Sequence, residues 1–431
     1  MPVEFLGIAT TNDASETTER TTAPFDPAYL ERLVRAHEDN GWTRVLFAYG
    51  SSGPEPAALA AYTAARLQSI ELLLAHRPNV SYPTYAAKTF ATLHQLSGGR
   101  LSVHFITGGN DHEQGREGDT LTKDERYART HEYIQIVKQA WSSAEPFDHH
   151  GPFYDFDDFV LDAKPFEGRT PTISFRGSPD AAIRGGAAEA DIYAVWGEPL
   201  DRTAEQIARV HAEAAAAGRT TPPRIHAAFR PIVAPTEELA WEKAHRILDR
   251  IEARKAAAGG QLSRRHPIDK PENAGSQRLL EIAAQGERFD TALWTATAKA
   301  TGGAGNSNAL VGTPEQVAEA LLAYYDLGVR VISARGYDLL DDAVDFGRYV
   351  IPLVREEVAK RDPPAAAAAA ARESGTPAPP RQPRTASAPA GADHGRSCRT
   401  RRYRPPGRRR TTRRRTCGSR YSTSCSTRPT P

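Results

Sequence analysis

The chain has 431 residues and a net charge of +2, but the charge is split. Residues 361–431 carry 17 arginines against three acidic residues, a net of +14, which leaves 1–360 at −12. All three cysteines (Cys398, Cys417, Cys425) lie in the terminal stretch, so 1–360 holds no disulfide, thiolate nucleophile or zinc–thiolate site.

The N-terminal stretch MPVEFLGIATTND has no basic run and no long apolar core, so no signal peptide is expected. No stretch of about 18 apolar residues follows, and a cytoplasmic, soluble protein is expected. Val3–Ala9 is an apolar run, then Thr10–Pro24 a polar loop. Asp26-Pro27 opens a helix that reaches Asn40 and ends at Gly41. Arg44–Ala48 and Glu71–Ala75 read as strands around an Ala-rich helix over Glu55–Leu67. Tyr82–Leu96 reads as a helix, Leu101–Ile106 as a strand and Asp124–Trp141 as a long helix. Phe147–Leu161 is aromatic and alternating around Gly151-Pro152, the pattern of an inserted β-hairpin.

The alternation then resumes. Thr172–Phe175, Asp191–Trp196 and Arg224–Val233 read as strands, with helices over Pro179–Glu189, within Glu198–Gly218 and over Glu237–Ala258. Gly259–Gly305 lacks an apolar period and reads as a lid. Thr313, Pro314 and Gln316 then form a helix start, Thr313 as N-cap and Gln316 completing a capping box. Val329–Ser333 is the last strand and Asp341–Lys360 the last helix.

From Asp362 onward there is no Leu, Ile, Val, Met or Phe, so the tail cannot bury enough apolar surface to fold and is expected to be disordered. Its arginine clusters could meet nucleic acid or another anionic surface. Only Tyr403 interleaves them and no nucleic-acid-binding fold accompanies them; the composition looks like GC-rich sequence read out of frame, and no function is expected of it.

Eight short apolar strands separated by helices predict a parallel sheet covered by helices. The expected class is α/β, a (β/α)8 TIM barrel over 1–360 with a hairpin insertion and a mobile lid; a doubly wound sheet is the alternative. Chemistry in a barrel sits at the C-terminal strand ends. Those ends are rich in small polar groups, Arg and aromatics, including Ala75-His76-Arg77, Thr107-Gly108, Arg176-Gly177-Ser178, Trp196-Gly197-Glu198, Arg230 and Arg335-Gly336-Tyr337. Asp111-His112-Glu113 and His149-His150 have no metal-ligand spacing and read as solvated; no metal is expected. Such a set suits a protein that binds a group able to do the chemistry. Gly177-Ser178-Pro179-Asp180 offers an anion site, with Ser178 as the cap of the helix that follows; it could equally be a plain N-cap.

Taken in order, several pieces resemble the flavin-dependent luciferase-like monooxygenases, most closely the alkanesulfonate monooxygenase branch. They are Ala86–Leu93 with Leu96–Arg100, Thr107-Gly108, Glu125-Arg126-Tyr127, Trp196–Pro199, and GGAG…ALVG with Gly336-Tyr337. The resemblance implies a barrel that uses reduced FMN, delivered by an NAD(P)H-dependent flavin reductase, with O2 as cosubstrate and a small organic molecule as substrate. A homodimer or homotetramer is usual in that family. Carried over by position, Glu55, Ala75, Thr107, Tyr127, Gly177 and Ser178 would contact flavin, and Ala75-His76 would carry a non-prolyl cis peptide. His76 is expected to titrate beside the flavin, with Arg230 and Tyr337 as donors to substrate.

The chain also departs from that branch. A cysteine near Gly53 is missing, Thr11 replaces a histidine, Ala228 and Arg230 replace an Arg-x-His pair, and Thr301 replaces a lid arginine. These changes put a simple sulfonate substrate in doubt and leave a larger specialised metabolite open. An F420-dependent oxidoreductase on the same barrel, or an inert flavin-binding accessory protein, are the alternatives.

Overall fold

Eight parallel strands form a closed ring in the computed structural model, which describes residues 3–258, 271, 273–303 and 308–362. They are β1 (Glu4–Ala9), β2 (Arg44–Phe47), β3 (Glu71–His76), β4 (Leu101–Phe105), β5 (Thr172–Arg176), β6 (Ile192–Trp196), β7 (Arg224–Val233) and β8 (Val329–Ala334). Each pairs with its neighbours in chain order; β6 pairs with β7, β7 with β8, and β8 returns to β1. The ring is the expected TIM barrel, and all eight of its strands coincide with the expected ones to within about two residues.

Strand parity builds the two layers. On β3, Leu72 and Leu74 join the core under the helices, while Leu73 faces inward with Leu6, Ile192 and Val331. Below that apolar layer, at the N-terminal strand ends, charges close the barrel. The Arg44 guanidinium donates to Glu4 at 2.5 Å and pairs with Glu71 at 2.7 Å, and Arg224 donates to the other Glu4 oxygen at 2.7 Å. Each buried cation there has a carboxylate, which is the condition for keeping charge inside a protein.

The helices follow their caps. Thr122 and Glu125 form a capping box that starts Lys123–Ser142, which buries Tyr133, Ile136, Val137 and Trp141. The Thr313/Gln316 capping box starts Pro314–Asp326 as expected. The last helix is in fact two, Asp341–Tyr349 and Ile351–Arg361, broken where Pro352 removes a donor. The hairpin pairs Phe147–His150 with Asp155–Phe159.

The described part of the segment expected as a lid is largely regular structure. It holds helices Ala274–Gln285 and Ala296–Ala300 and the two-residue strands Arg288–Phe289 and Leu293–Trp294. Those strands lead into Ala309–Gly312, which pairs parallel with Arg230–Val233. The ten-residue length of β7 is thereby used twice, once in the barrel and once in this side sheet. Residues 259–270, 272 and 304–305 of the expected lid and hinge lie outside the described residues, as do 363–431 of the expected disordered tail. No described helix is long and apolar enough to cross a membrane.

Trp294 is fully buried with Ile232, Ala244, Ile247 and Tyr337, and its Nε1 donates to Glu287 at 2.7 Å. Trp294→Ala should lower the unfolding free energy by about 3–5 kcal/mol, read as a lower urea midpoint; an unchanged midpoint would show that the side sheet is not part of the cooperative fold.

Candidate active site

At the C-terminal strand ends, β4 runs on into Ile106–Asn110, β5 into Gly177-Ser178 and β6 into Gly197-Glu198. Between them lies a cavity of about 290 Å3 lined by Thr107, Lys123, Tyr127, Arg176, Gly177, Ser178 and Trp196. Asn273–Ser276 form its roof. Asn273 caps the roof helix by accepting from Ser276 N at 2.7 Å. Arg278 of that helix donates to both oxygens of the buried Glu198, at 3.0 and 2.6 Å, and so fastens the roof to the end of β6.

Gly177 is required by close packing. A Cβ there would overlap that of Ala182 and reach within 3.4 Å of Tyr127 Oη, and the Tyr193 hydroxyl holds the Gly177 carbonyl at 2.6 Å. Ser178 is not the helix cap that was expected. Helix Asp180–Glu189 has Pro179 at its N-cap, and no side chain caps its first turn. The Ser178 hydroxyl faces the roof instead, 3.0 Å from where a Cβ on Gly275 would stand. Burial pushes the Tyr127 phenol up to about 12, so it remains a neutral donor at physiological pH. Thr107 Oγ1 meets Thr130 Oγ1 at 3.3 Å. Arg77, buried beside this cavity, pairs with Glu117 at 2.9 Å and Glu113 at 3.2 Å.

Arg230 and Tyr337 lie elsewhere. Glu16, from the loop after β1, accepts from Arg230 Nη1 and Nη2 at 3.2 and 3.1 Å and also from Arg335. Arg230 further donates to the carbonyls of Arg335 and Gly336, at 2.6 and 3.0 Å, and its guanidinium stands 4.0 Å from the Tyr337 ring. Burial would raise the Glu16 carboxyl, but the Arg230 and Arg335 charges outweigh it and hold it well below the usual carboxylate range. Tyr337 packs into the second apolar cluster, and its backbone N–H donates to Asp342. Arg230 and Arg335 line a second cavity of about 130 Å3 inside the barrel, with Arg176, His104 and His226.

Three other expected residues also stand apart from the large cavity. His76 points outward, between Phe90 and Tyr133, with its Nε2 2.8 Å from Tyr133 Oη, and burial lowers it to about 3. Glu55 is an exposed helix cap that accepts from Ala57 and Ala58. Ala75 faces into the barrel at the register position of His104, and no cis peptide bond occurs among the described residues, Ala75–His76 included. Asp111-His112-Glu113, read as solvated, lies in a short helix, Asp111–Gly115, and its Glu113 pairs with Arg77. The sequence reading missed Glu16, Lys123, Asn273–Ser276, His104 and His226. The two histidines had a signal, since each alternates with apolar outward-facing neighbours, His104 with Val103 and Phe105 and His226 with Ile225 and Ala227.

The luciferase-like monooxygenase family model matches residues 5–331, and the chain belongs to that family. Its fold is similar to that of EDTA monooxygenase from Chelativorans sp. BNC1, at 18% identity and TM-score 0.66 over 83% of this chain and 94% of that one. A riboflavin lyase, solved with modified FMN and riboflavin, matches at 20% identity and TM-score 0.67 over 83% and 92%. An F420-dependent secondary alcohol dehydrogenase, solved with an F420–acetone adduct, matches at 16% identity and TM-score 0.59 over 82% and 99%.

The Glu16 clamp has a pH signature. Its folded carboxyl titrates below the unfolded one, so the stability it contributes is present above the usual carboxylate range and is lost as pH falls through and below that range. Glu16→Gln should lower the unfolding free energy at neutral pH by about 3 kcal/mol. The gap to wild type should narrow in acid, as measured by urea unfolding against pH; a gap independent of pH would contradict the clamp.

Proposed function

We propose that this member of the luciferase-like monooxygenase family is a two-component monooxygenase that takes reduced FMN from a separate NAD(P)H-dependent flavin reductase and uses O2 to oxygenate a small organic substrate. The observation that carries this reading is convergence. Four of the residues that the family resemblance ties to flavin, Thr107, Tyr127, Gly177 and Ser178, line one cavity at the C-terminal ends of the barrel strands.

The cavity fits a phosphate-bearing cofactor. It combines the Ser178 and Tyr127 hydroxyls, the Lys123 ammonium, backbone exposed at Gly177, and a helix start that no side chain caps. Tyr127, Ser178 and Lys123 would hold the phosphate, and Thr107 and Gly177 would bound the chain that follows it. Reduced FMN, when bound, supplies the electrons that activate O2. The protein's part is to orient the reactants and exclude water beneath the Asn273–Ser276 roof, held by the Glu198–Arg278 pair. Movement of the rest of 259–305 as a lid, and a homodimer or homotetramer, belong to the same proposal.

The substrate in this reading is a larger specialised metabolite rather than a simple alkanesulfonate. Arg230 is committed to Glu16, and Thr301 is buried with its hydroxyl donating to the Thr297 carbonyl at 2.9 Å. Neither of these two positions supplies an open cationic group.

With a flavin reductase and NADH regenerating reduced FMN, the full chain should take up O2 in a substrate-dependent way. Tyr127→Phe should weaken reduced-FMN binding about ten-fold, the loss of one hydrogen bond to a charged group. Turnover of reduced F420 without O2 uptake would overturn the assignment.

A further inference from the structure

The barrel interior holds more positive charge than the described residues balance. The ion ring at the floor is matched, since Arg44 and Arg224 face Glu4 and Glu71. The chamber of about 130 Å3 above it is not, because Arg176, Arg230 and Arg335 all line it and Glu16 serves the last two. Arg176 has no carboxylate partner among the described residues, and its Nη2 is buried without a hydrogen bond. His226, 7% exposed, also has a buried Nε2 with no hydrogen-bond partner and lines the same chamber.

We propose that this chamber is an oxyanion site, anchored by the Arg176 guanidinium with His226 as a second donor, that takes the carboxylate or sulfonate end of an organic anion. A half-buried cation with no counter-charge among the described residues, its Nη2 buried and unbonded, and a buried imidazole nitrogen without a partner are both unfavourable, and natural proteins rarely keep them without a use. Water could fill the space, since a few molecules fit, but it brings no counter-charge. A cation would add to the imbalance. An oxyanion offsets the charge and accepts from both groups, and a planar guanidinium suits it because two parallel N–H bonds can form.

The surroundings hold Arg176 in position. Its guanidinium carbon lies 3.1 Å from the centroid of the Trp196 ring, and its Nη2 has no hydrogen-bond partner. The chamber floor of Leu6, Leu46 and Leu73 is apolar and offers no competing acceptor. Burial lowers the His104 and His226 imidazoles, so both are neutral at physiological pH and each has one ring N–H to donate. His104 Nδ1 is 2.9 Å from Ser174 Oγ, so one of its nitrogens is engaged, while the buried His226 Nε2 has no partner. Arg176 and Trp196 line both this chamber and the large cavity, so an anion held here would present the rest of its molecule to that cavity. Use of the chamber as a substrate subsite rests on the flavin reading; anion binding does not.

The test is a titration of the full chain, in a buffer free of small oxyanions, with sodium acetate and sodium methanesulfonate, using N-methylacetamide as the neutral control. Saturable binding of either anion and none of the amide is expected; the tighter of the two identifies the preferred end group. Arg176→Met should weaken anion binding about ten-fold or more, Arg176→Lys should restore part of it, and Arg116→Met, an exposed control, should change nothing. The His226 imidazole signal in NMR should move on adding the anion, which keeps the test open if Arg176→Met fails to fold. Equal binding by wild type and Arg176→Met, or a still His226 signal, would overturn the proposal. Reduced FMN, titrated separately, should bind His226→Leu, altered in the chamber and outside the large cavity, within a few-fold of wild type, so a failed anion site and a failed flavin reading give different results.

Discussion

One carboxylate sets the charge pattern at the mouth of this barrel. Glu16 lies between Arg230 and Arg335, and in doing so ties the loop after β1 to the ends of β7 and β8. Two arginines that could have met a substrate anion are thereby engaged by a carboxylate of the protein. What remains is Arg176, stacked on Trp196 and facing the chamber. The cost of leaving Glu16 or either arginine unpaired in this setting keeps the arrangement in place.

The division of space at the strand ends follows from that clamp. With Arg230 and Tyr337 packed against each other, the β7–β8 side of the mouth is filled and partly apolar. The β4–β6 side stays open and polar, with the Tyr127 and Ser178 hydroxyls, Lys123 and the tight turn at Gly177. Arg176 and Trp196 stand at the border of the two regions. A cofactor on the open side and an anionic end inside the barrel would then meet across that pair.

The barrel was legible in the sequence because buried parallel strands are short apolar runs bounded by helix caps and glycines, as at Arg44–Phe47 and Leu101–Phe105. The side sheet was not, because strands of two residues, Arg288–Phe289 and Leu293–Trp294, carry no period at all. At the site, Thr107, Gly177 and Ser178 were legible through their place after strands, and Tyr127 through the family resemblance alone. Glu16 was not, since it sits in a polar loop and its partners are 214 and 319 residues away along the chain. His76 follows Leu72 and Leu74 on the outward face of β3, and strand parity alone already argues against a place beside a cofactor.

The central claim is that the cavity under the Asn273–Ser276 roof is a site for reduced FMN. Anaerobic titration of the full chain with reduced FMN, followed by fluorescence or calorimetry, tests it most directly. Saturable one-site binding with a dissociation constant on the order of micromolar or tighter is the predicted result. Binding far weaker than that, or binding unaffected by substitution of both Tyr127 and Ser178, would contradict it.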